Sequence, residues 1–197
     1  MSRSFSPAAE RNQRPIFDAI DSLLPPQARV IEIGAGTGQH AEGFTRRRSD
    51  LHWLATDRPD RIQELEAVAA STGSPPRFGV ARLAIGQDPW PDESFDIVYT
   101  ANTLHIMPWP CSAQLIAGAA EALSNKGLLI CYGPFKEGER HNADSNRSFD
   151  ESLRRRDPAM GLRDLIELRA LGQAASLPVV GEVDLPANNR LIIFKKS

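Results

Sequence analysis

Val30-Ile-Glu32-Ile-Gly34-Ala-Gly36-Thr-Gly38-Gln39 decides the reading of this chain. A β-branched run over residues 29–33 stops at three alternating glycines. It passes into a segment, 38–48, with Ala41 and Phe44 on one side. Strand, tight turn and amphipathic helix in that order are the context a nucleotide-binding loop needs. Glycines without Cβ let the backbone lie against a ligand. A tight strand-to-helix turn also collects glycines for steric reasons alone, so the surroundings must decide.

Working outward, the same alternation continues. Residues 14–24 read as a helix that begins near Arg14, because Pro15 interrupts an earlier, less regular arm. Residues 1–26 are therefore an N-terminal arm and helix, ended by Pro25-Pro26. Strands are expected at 51–56, 77–85, 95–101 and 127–132, with helices at 59–70 and 110–123 between them. Pro59 would stand in the first turn of its helix. Two more helices fill 146–175, broken around Asp157-Pro158 and Gly161. Two strands close the chain, 178–185 and 190–195, about the turn Pro186-Ala-Asn-Asn. Alternating strands and helices give a parallel sheet covered on both faces. A turn this short forces one of the last two strands antiparallel. The expected fold is thus α/β, a doubly wound seven-stranded, mostly parallel sheet ending in an antiparallel hairpin. It forms a single domain over 1–197.

Bulk properties agree and exclude other classes. With 197 residues, 41% hydrophobic and 24% charged, the chain is an ordinary globular domain needing no disulfide or metal staple. A net charge of −2 leaves no bulk basic surface for a nucleic acid. The longest apolar runs hold about five residues against the ~20 of a membrane span. No signal-peptide core follows Met1, and Cys111 and Cys131 form no knuckle, so a reduced, cytoplasmic setting is expected.

Three residues sharpen the ligand. Dinucleotide binding wants a glycine at position 39, where Gln39 stands. Glu32, two residues before the loop, would repel a pyrophosphate but suits an ammonium group. Asp57 closes the second strand 23 residues beyond Gly34, where an acid accepts both ribose hydroxyls. Its other possible role is to cap the helix at Pro59. Taken with the loop, the ribose role is preferred. An amino acid joined to a nucleoside, without phosphate, describes S-adenosylmethionine.

These residues resemble the class I S-adenosylmethionine-dependent methyltransferases, a Rossmann-like fold, over residues 27–132. Glu32, Gly34, Gly36 and Gly38 match the first motif and Asp57 the ribose acid. Phe95-Asp-Ile-Val matches the fourth strand, and Leu123-Ser-Asn-Lys-Gly127 the turn before the fifth. A narrower resemblance spans nearly the whole chain. Ser6-Pro-Ala-Ala-Glu-Arg-Asn12, Ala101-Asn-Thr-Leu-His-Ile106, Tyr132-Gly-Pro-Phe135, Ser145-Asn146, Phe149-Asp150 and Pro186-Ala-Asn-Asn-Arg190 are similar to one small family. It is filed as a domain of unknown function and, in animals, as methyltransferase-like protein 26. The resemblance implies the fold and methyl transfer but names no substrate. The class usually carries an adenine-binding acid at position 84, and Ala84 stands there. The backbone N–H of Ile85 is then expected to meet adenine, with Gln87 or Asp88 near its amino group. Losing one charge-assisted bond costs about 1.5–3 kcal/mol.

The candidate chemistry follows strands four and five. Asn102 is expected to orient the cofactor or an acceptor amide. His105, with an unperturbed pKa of about 6.5, is either a general base or a loop cap before Pro108. Tyr132 and Phe135 either wall an acceptor pocket or pack beneath the next loop. His105 and Tyr132 leave neighbouring strands and are expected to enclose one small molecule, covered by residues 133–147. That stretch, almost without large apolar residues, reads as an unstructured lid. Asn188-Asn189 read as turn formers, and the arginine triplets at 46–48 and 154–156 as solvated helix faces. The histidines at 40, 52, 105 and 141 show no metal-ligand spacing. The expected activity is methyl transfer from S-adenosylmethionine to a small molecule. The alternative is an inactive, cofactor-binding module that works through a protein partner.

Overall fold

A computed structural model describes residues 4–197. Its first half runs α1 (Pro7–Ile20), β1 (Arg29–Ile33), α2 (Gln39–Arg47), β2 (His52–Asp57), α3 (Ile62–Ser71), β3 (Gly79–Arg82), β4 (Phe95–Ala101) and α4 (Trp109–Ala122). The second half runs β5 (Leu123–Gly133), β6 (Phe135–Glu137), β7 (Arg140–His141), α5 (Asp144–Arg156), β8 (Arg163–Asp164), α6 (Leu165–Ala174), β9 (Val179–Leu185) and β10 (Asn189–Lys195).

The main sheet has seven strands in the order β3-β2-β1-β4-β5-β10-β9. Strands β1 to β5 pair in parallel, while β10 is antiparallel to both β5 and β9. Sheet side chains alternate between two cores. Val30, Ile97, Tyr99, Ile130 and Leu191 pack with α1, α2 and α3 on one face. Ile31, Val98, Leu129, Cys131 and Ile192 pack with α4 and α6 on the other. Covering both faces explains why these strands read as apolar runs instead of alternating ones. The antiparallel hairpin and the doubly wound order are as expected from the sequence.

Besides β5, which begins at Leu123 and takes in the turn expected over 123–127, four regions differ. Helix α1 starts at Pro7, not near Arg14, because the Ser6 hydroxyl accepts the Ala9 N–H (3.2 Å) and Pro7 fits the first turn. Pro15 removes one hydrogen bond from the interior, and burial of Ile16, Phe17 and Ile20 offsets that loss. Of the expected arm, Met1 to Arg3 lie outside the described residues. Helix α3 starts at Ile62 instead of Pro59, since Pro59 follows Arg58 in a turn closed by Arg61 N–H to the Arg58 carbonyl (2.9 Å). Strand β3 keeps only four of the expected residues, ending where the chain turns at Ala84.

The fourth difference is the largest. Residues 133–147 are not an unstructured lid. They form β6, β7 and the start of α5, and β6 lies between β7 and β8 in a second, three-stranded sheet. Strands of two or three residues carry too little periodicity to be read from sequence.

Candidate active site

The glycine loop sits where β1 leaves the middle of the main sheet. Gly34 and Ala35 both donate to the Thr56 carbonyl, at 3.0 and 2.9 Å, so the loop hangs from the end of β2. The three glycines have different work. A Cβ on Gly34 would come within 2.6 Å of Thr103 Cγ2, and one on Gly38 within 2.9 Å of Leu65 Cδ1. Both are packing glycines. Gly36, with φ of +56°, would place a Cβ in open space, with nothing within 4 Å. Its backbone alone faces the sheet's carboxyl edge, where open α/β sheets take ligands.

Asp57 lies against the same residue. Its Oδ2 accepts the Gly36 N–H at 2.7 Å, and its Oδ1 accepts the Arg58 N–H at 2.8 Å. Helix α3 is preceded by Arg61, so Asp57 is no helix cap. Each oxygen retains a lone pair for a further donor.

Glu32 differs from its expectation. It faces the α1 side of β1, paired with Tyr99, and is 2% exposed. Its Oε2 accepts Trp53 Nε1–H at 2.9 Å, and its Oε1 lies 3.9 Å from His40 Nδ1. His40 Nδ1 also meets the Tyr99 hydroxyl (3.0 Å), and His40 Nε2 meets Asn12 Oδ1 (2.8 Å). Burial pushes the Glu32 carboxyl up to about 8 and His40 down to about 4. Both are therefore neutral near pH 7, so they form no ion pair at 3.9 Å. Each is hydrogen-bonded instead to its own partners, Glu32 to Trp53 and His40 to Tyr99 and Asn12. The carboxyl expected to receive an ammonium group is committed instead to the aromatic core beneath the loop.

Beyond β3, Ala84 is buried, and its N–H goes to Asp88 Oδ2 at 2.8 Å. Asp88 is also held by Arg82 Nη2 at 2.6 Å. That carboxylate closes a turn and does not stand in for the missing acid. The Ile85 N–H has no partner among the described residues.

Asn102 and His105 follow β4. Asn102 has φ of +56° and donates its N–H to the Tyr132 carbonyl (2.9 Å), while its side chain bonds to nothing among the described residues. Its amide oxygen and His105 Nδ1 each lie 3.8 Å from where a Cβ on Gly133 would be. His105 is buried, edge-on to Phe149 of α5 with ring centroids 5.2 Å apart. Burial, with Arg163 nearby, drives its imidazole down to about 4. The ring is therefore neutral at physiological pH.

Tyr132 is not its companion. Successive side chains of β5 point to opposite faces. Tyr132 enters the α1 core, where its hydroxyl accepts Asn189 Nδ2–H (2.9 Å) and bonds Asn12. His105 lies on the Gly133 side. The structure brings Gly34, Gly36, Gly38, Asp57, Ile85, Asn102 and His105 to one sheet edge, and withdraws Glu32 and Tyr132 into the network behind it.

The family model described as "Protein of unknown function (DUF938)" matches residues 3–196. The chain belongs to this family. Solved structures resemble the DUF938 chain across its length. An O-methyltransferase family protein from Burkholderia thailandensis has a TM-score of 0.81 at 19% identity, covering 96% of this chain and 57% of its own. Human N-acetylserotonin methyltransferase, in complex with SAM, has a TM-score of 0.80 at 16% identity, covering 96% and 53%. An O-methyltransferase family 2 protein from Planctomyces limnophilus, in complex with apigenin, has a TM-score of 0.77 at 18% identity, covering 94% and 62%. The DUF938 chain thus spans less than two thirds of each. These likenesses show the class I methyltransferase fold.

Sequence reasoning missed His40, Tyr99, Trp53, Asn12 and Phe149 as members of the site's surroundings. Two had a signal: Asn12 and Phe149 end or begin segments that resemble the family without an evident local role. The structure supplies the roles. Ser6 N–H donates to Gln39 Oε1 (2.7 Å), and Gln13 Nε2–H donates to the Gln39 carbonyl (2.5 Å), so α1 is pinned to the start of α2. Asn146 Nδ2–H reaches the Asn188 carbonyl (2.9 Å), joining α5 to the turn before β10. Among the described residues no group of three or more His, Cys, Asp or Glu is placed to hold a metal. None of their helices is long and apolar enough to cross a membrane.

Proposed function

We propose that this DUF938 chain is an S-adenosylmethionine-dependent methyltransferase with a small-molecule acceptor. The observation that carries the reading is the open space beside Gly36, with Asp57 fixed against that residue's N–H. This cradle fits the cofactor. Gly34, Gly36 and Gly38 shape the loop for the methionyl part, Asp57 takes the ribose hydroxyls, and the Ile85 N–H meets adenine. Asn102 orients the methionyl end with its unengaged amide. Glu32 steadies the strand below.

When bound, S-adenosylmethionine supplies a methyl group on a sulfonium centre. Alignment of an acceptor in line with that group supplies much of the rate. A hydroxyl acceptor also needs a base, and the neutral imidazole of His105 takes its proton at a ring nitrogen. The position of that ring is set by Phe149. A binding-only module is favoured by Ala84 and by the engagement of Asp88 with Arg82.

Methyl incorporation from labelled cofactor into a small-molecule extract separates the two readings. Incorporation is expected, and His105→Ala should lower it by about 10²–10⁴-fold. The His105 pKa of about 4 puts the acid limb of the profile near pH 4, well below that of an ordinary histidine. Cofactor binding without any incorporation would leave the binding-only module standing. Full turnover by the alanine variant would place the base elsewhere.

A further inference from the structure

Two residues past Gly133, the chain enters β6, and the β6–β7 hairpin stands beside the first residues of β10. Between them is a cavity of about 530 Å³ whose lining includes Phe135, Lys136, Glu137, Arg140, His141 and Arg190. The charges there do not cancel. Glu137 is taken by Arg169 of α6 (2.6 Å), and Arg190 is held by Asp184 (2.8 Å). Lys136 and Arg140 have no acidic partner among the described residues. Two uncompensated cations in one concavity, on a chain of net charge −2, create a local field that concentrates anions.

The site is built, not a chance gathering of surface side chains. His141 Nε2 lies 3.0 Å from Asp150 Oδ2, while Asp150 Oδ1 accepts the Leu162 N–H (2.8 Å) and Arg154 Nε–H (3.1 Å). Asp150 thereby fixes the orientation of the imidazole. Asn142 and Asn146 both donate to the Asn188 carbonyl, at 3.0 and 2.9 Å, which ties the hairpin wall to the β10 wall. Phe135, 4% exposed, supplies an apolar side. The chain links this cavity to the surroundings of His105: Gly133, beside that ring, lies two residues before Phe135, and Phe149, which packs on the ring, immediately precedes Asp150.

We propose that this cavity holds the anionic end of the methyl acceptor, which is a small molecule bearing a carboxylate or a phosphate group. Lys136 and Arg140, one from each strand of the hairpin, hold the anion, His141 lines the wall through its bond to Asp150, and Phe135 lies against the apolar part. The assignment rests on the methyltransferase reading above. Charge-assisted bonds from ammonium and guanidinium are the strong class of hydrogen bond, and a bidentate guanidinium suits either head group.

The test uses the full chain titrated with citrate and, separately, inorganic phosphate, followed by amide chemical shifts. S-adenosylhomocysteine is titrated in parallel. One of the two anions should bind and shift residues 135–142, and the tighter one identifies the head group. Lys136→Gln/Arg140→Gln, both at solvent-accessible positions, should weaken that anion about tenfold or more while changing S-adenosylhomocysteine affinity by less than about twofold. The anion should also inhibit the methyl transfer competitively against the acceptor. Absence of binding by both anions, equal binding by the double variant, or a lack of competition would overturn the proposal. Failure of S-adenosylhomocysteine to bind the wild type would sink the methyltransferase reading, and with it the acceptor assignment, whatever the anions do.

Discussion

The two halves of the sheet's carboxyl edge are built on different principles. At the glycine loop, backbone does the work: Gly36 leaves open space, Thr56 anchors two N–H groups, and one carboxylate, Asp57, closes the arrangement within about 25 residues of chain. At the other end, β5 and β10 carry a site assembled from side chains far apart in sequence. Asn12 of α1 bonds Tyr132 of β5, Asn189 of β10 bonds the same hydroxyl, and Phe149 of α5 packs on His105. Conformation requires particular residue types at fixed spacing, so the first region leaves a signature. Long-range contacts between ordinary residue types leave none.

Gly36→Val probes the first region hardest. A Cβ there has no protein atom within 4 Å, so the apo protein should fold, losing at least about 1–2 kcal/mol to the left-handed backbone. S-adenosylhomocysteine binding should vanish in calorimetry. Retained affinity would mean that the open space is not the cofactor's. Asp57→Ala should weaken binding by about 1–3 kcal/mol, from lost charge-assisted bonds. A change confined to apo stability would reduce Asp57 to a loop anchor for Gly36.

The network between the regions should announce itself through pH. Glu32 holds its proton to about pH 8 when folded, against about 4.5 for an ordinary glutamate. The folded state is thus the better proton binder between those values, and stability falls as pH rises through that window. His40 and His105 act oppositely, but only between about 4 and 6.5. From pH 6.5 to 8 the Glu32 effect stands alone, and denaturant titrations should show a fall of about 1–2 kcal/mol. Glu32→Gln should flatten it. An equal slope in the variant would assign the pH dependence to other groups. The smallest effect is expected of Tyr132→Phe, which removes bonds to Asn189 and Asn12 and should cost about 0.5–1.5 kcal/mol of stability. Cofactor affinity should not change. A loss of cofactor affinity in that variant would show the two regions to be coupled through the network.

The sheet was legible in the sequence because each central strand is an apolar run ended by a turn residue, and the Pro186-Ala-Asn-Asn turn betrayed the antiparallel return. The positive-φ turn at Gly34, Gly36 and Gly38, and the place of Asp57 at the end of β2, were legible for the same kind of reason. Glu32 was misread because its position says only that an acid precedes the loop. Which face of β1 it occupies depends on Trp53 and His40, brought there by β2 and α2. Tyr132 was misread likewise: the end of β5 was located correctly, but the strand's alternation carries that ring away from His105. The 133–147 segment failed for want of length, since strands of two or three residues acquire their identity only by pairing.

The central claim is that the Gly36–Asp57 cradle holds an adenosyl amino acid. Calorimetric titration of the full chain with S-adenosylhomocysteine, and separately with NAD, tests it most directly. Saturable one-to-one binding of S-adenosylhomocysteine, with no heat from NAD, is the expected result. Binding of NAD with none of S-adenosylhomocysteine would contradict it.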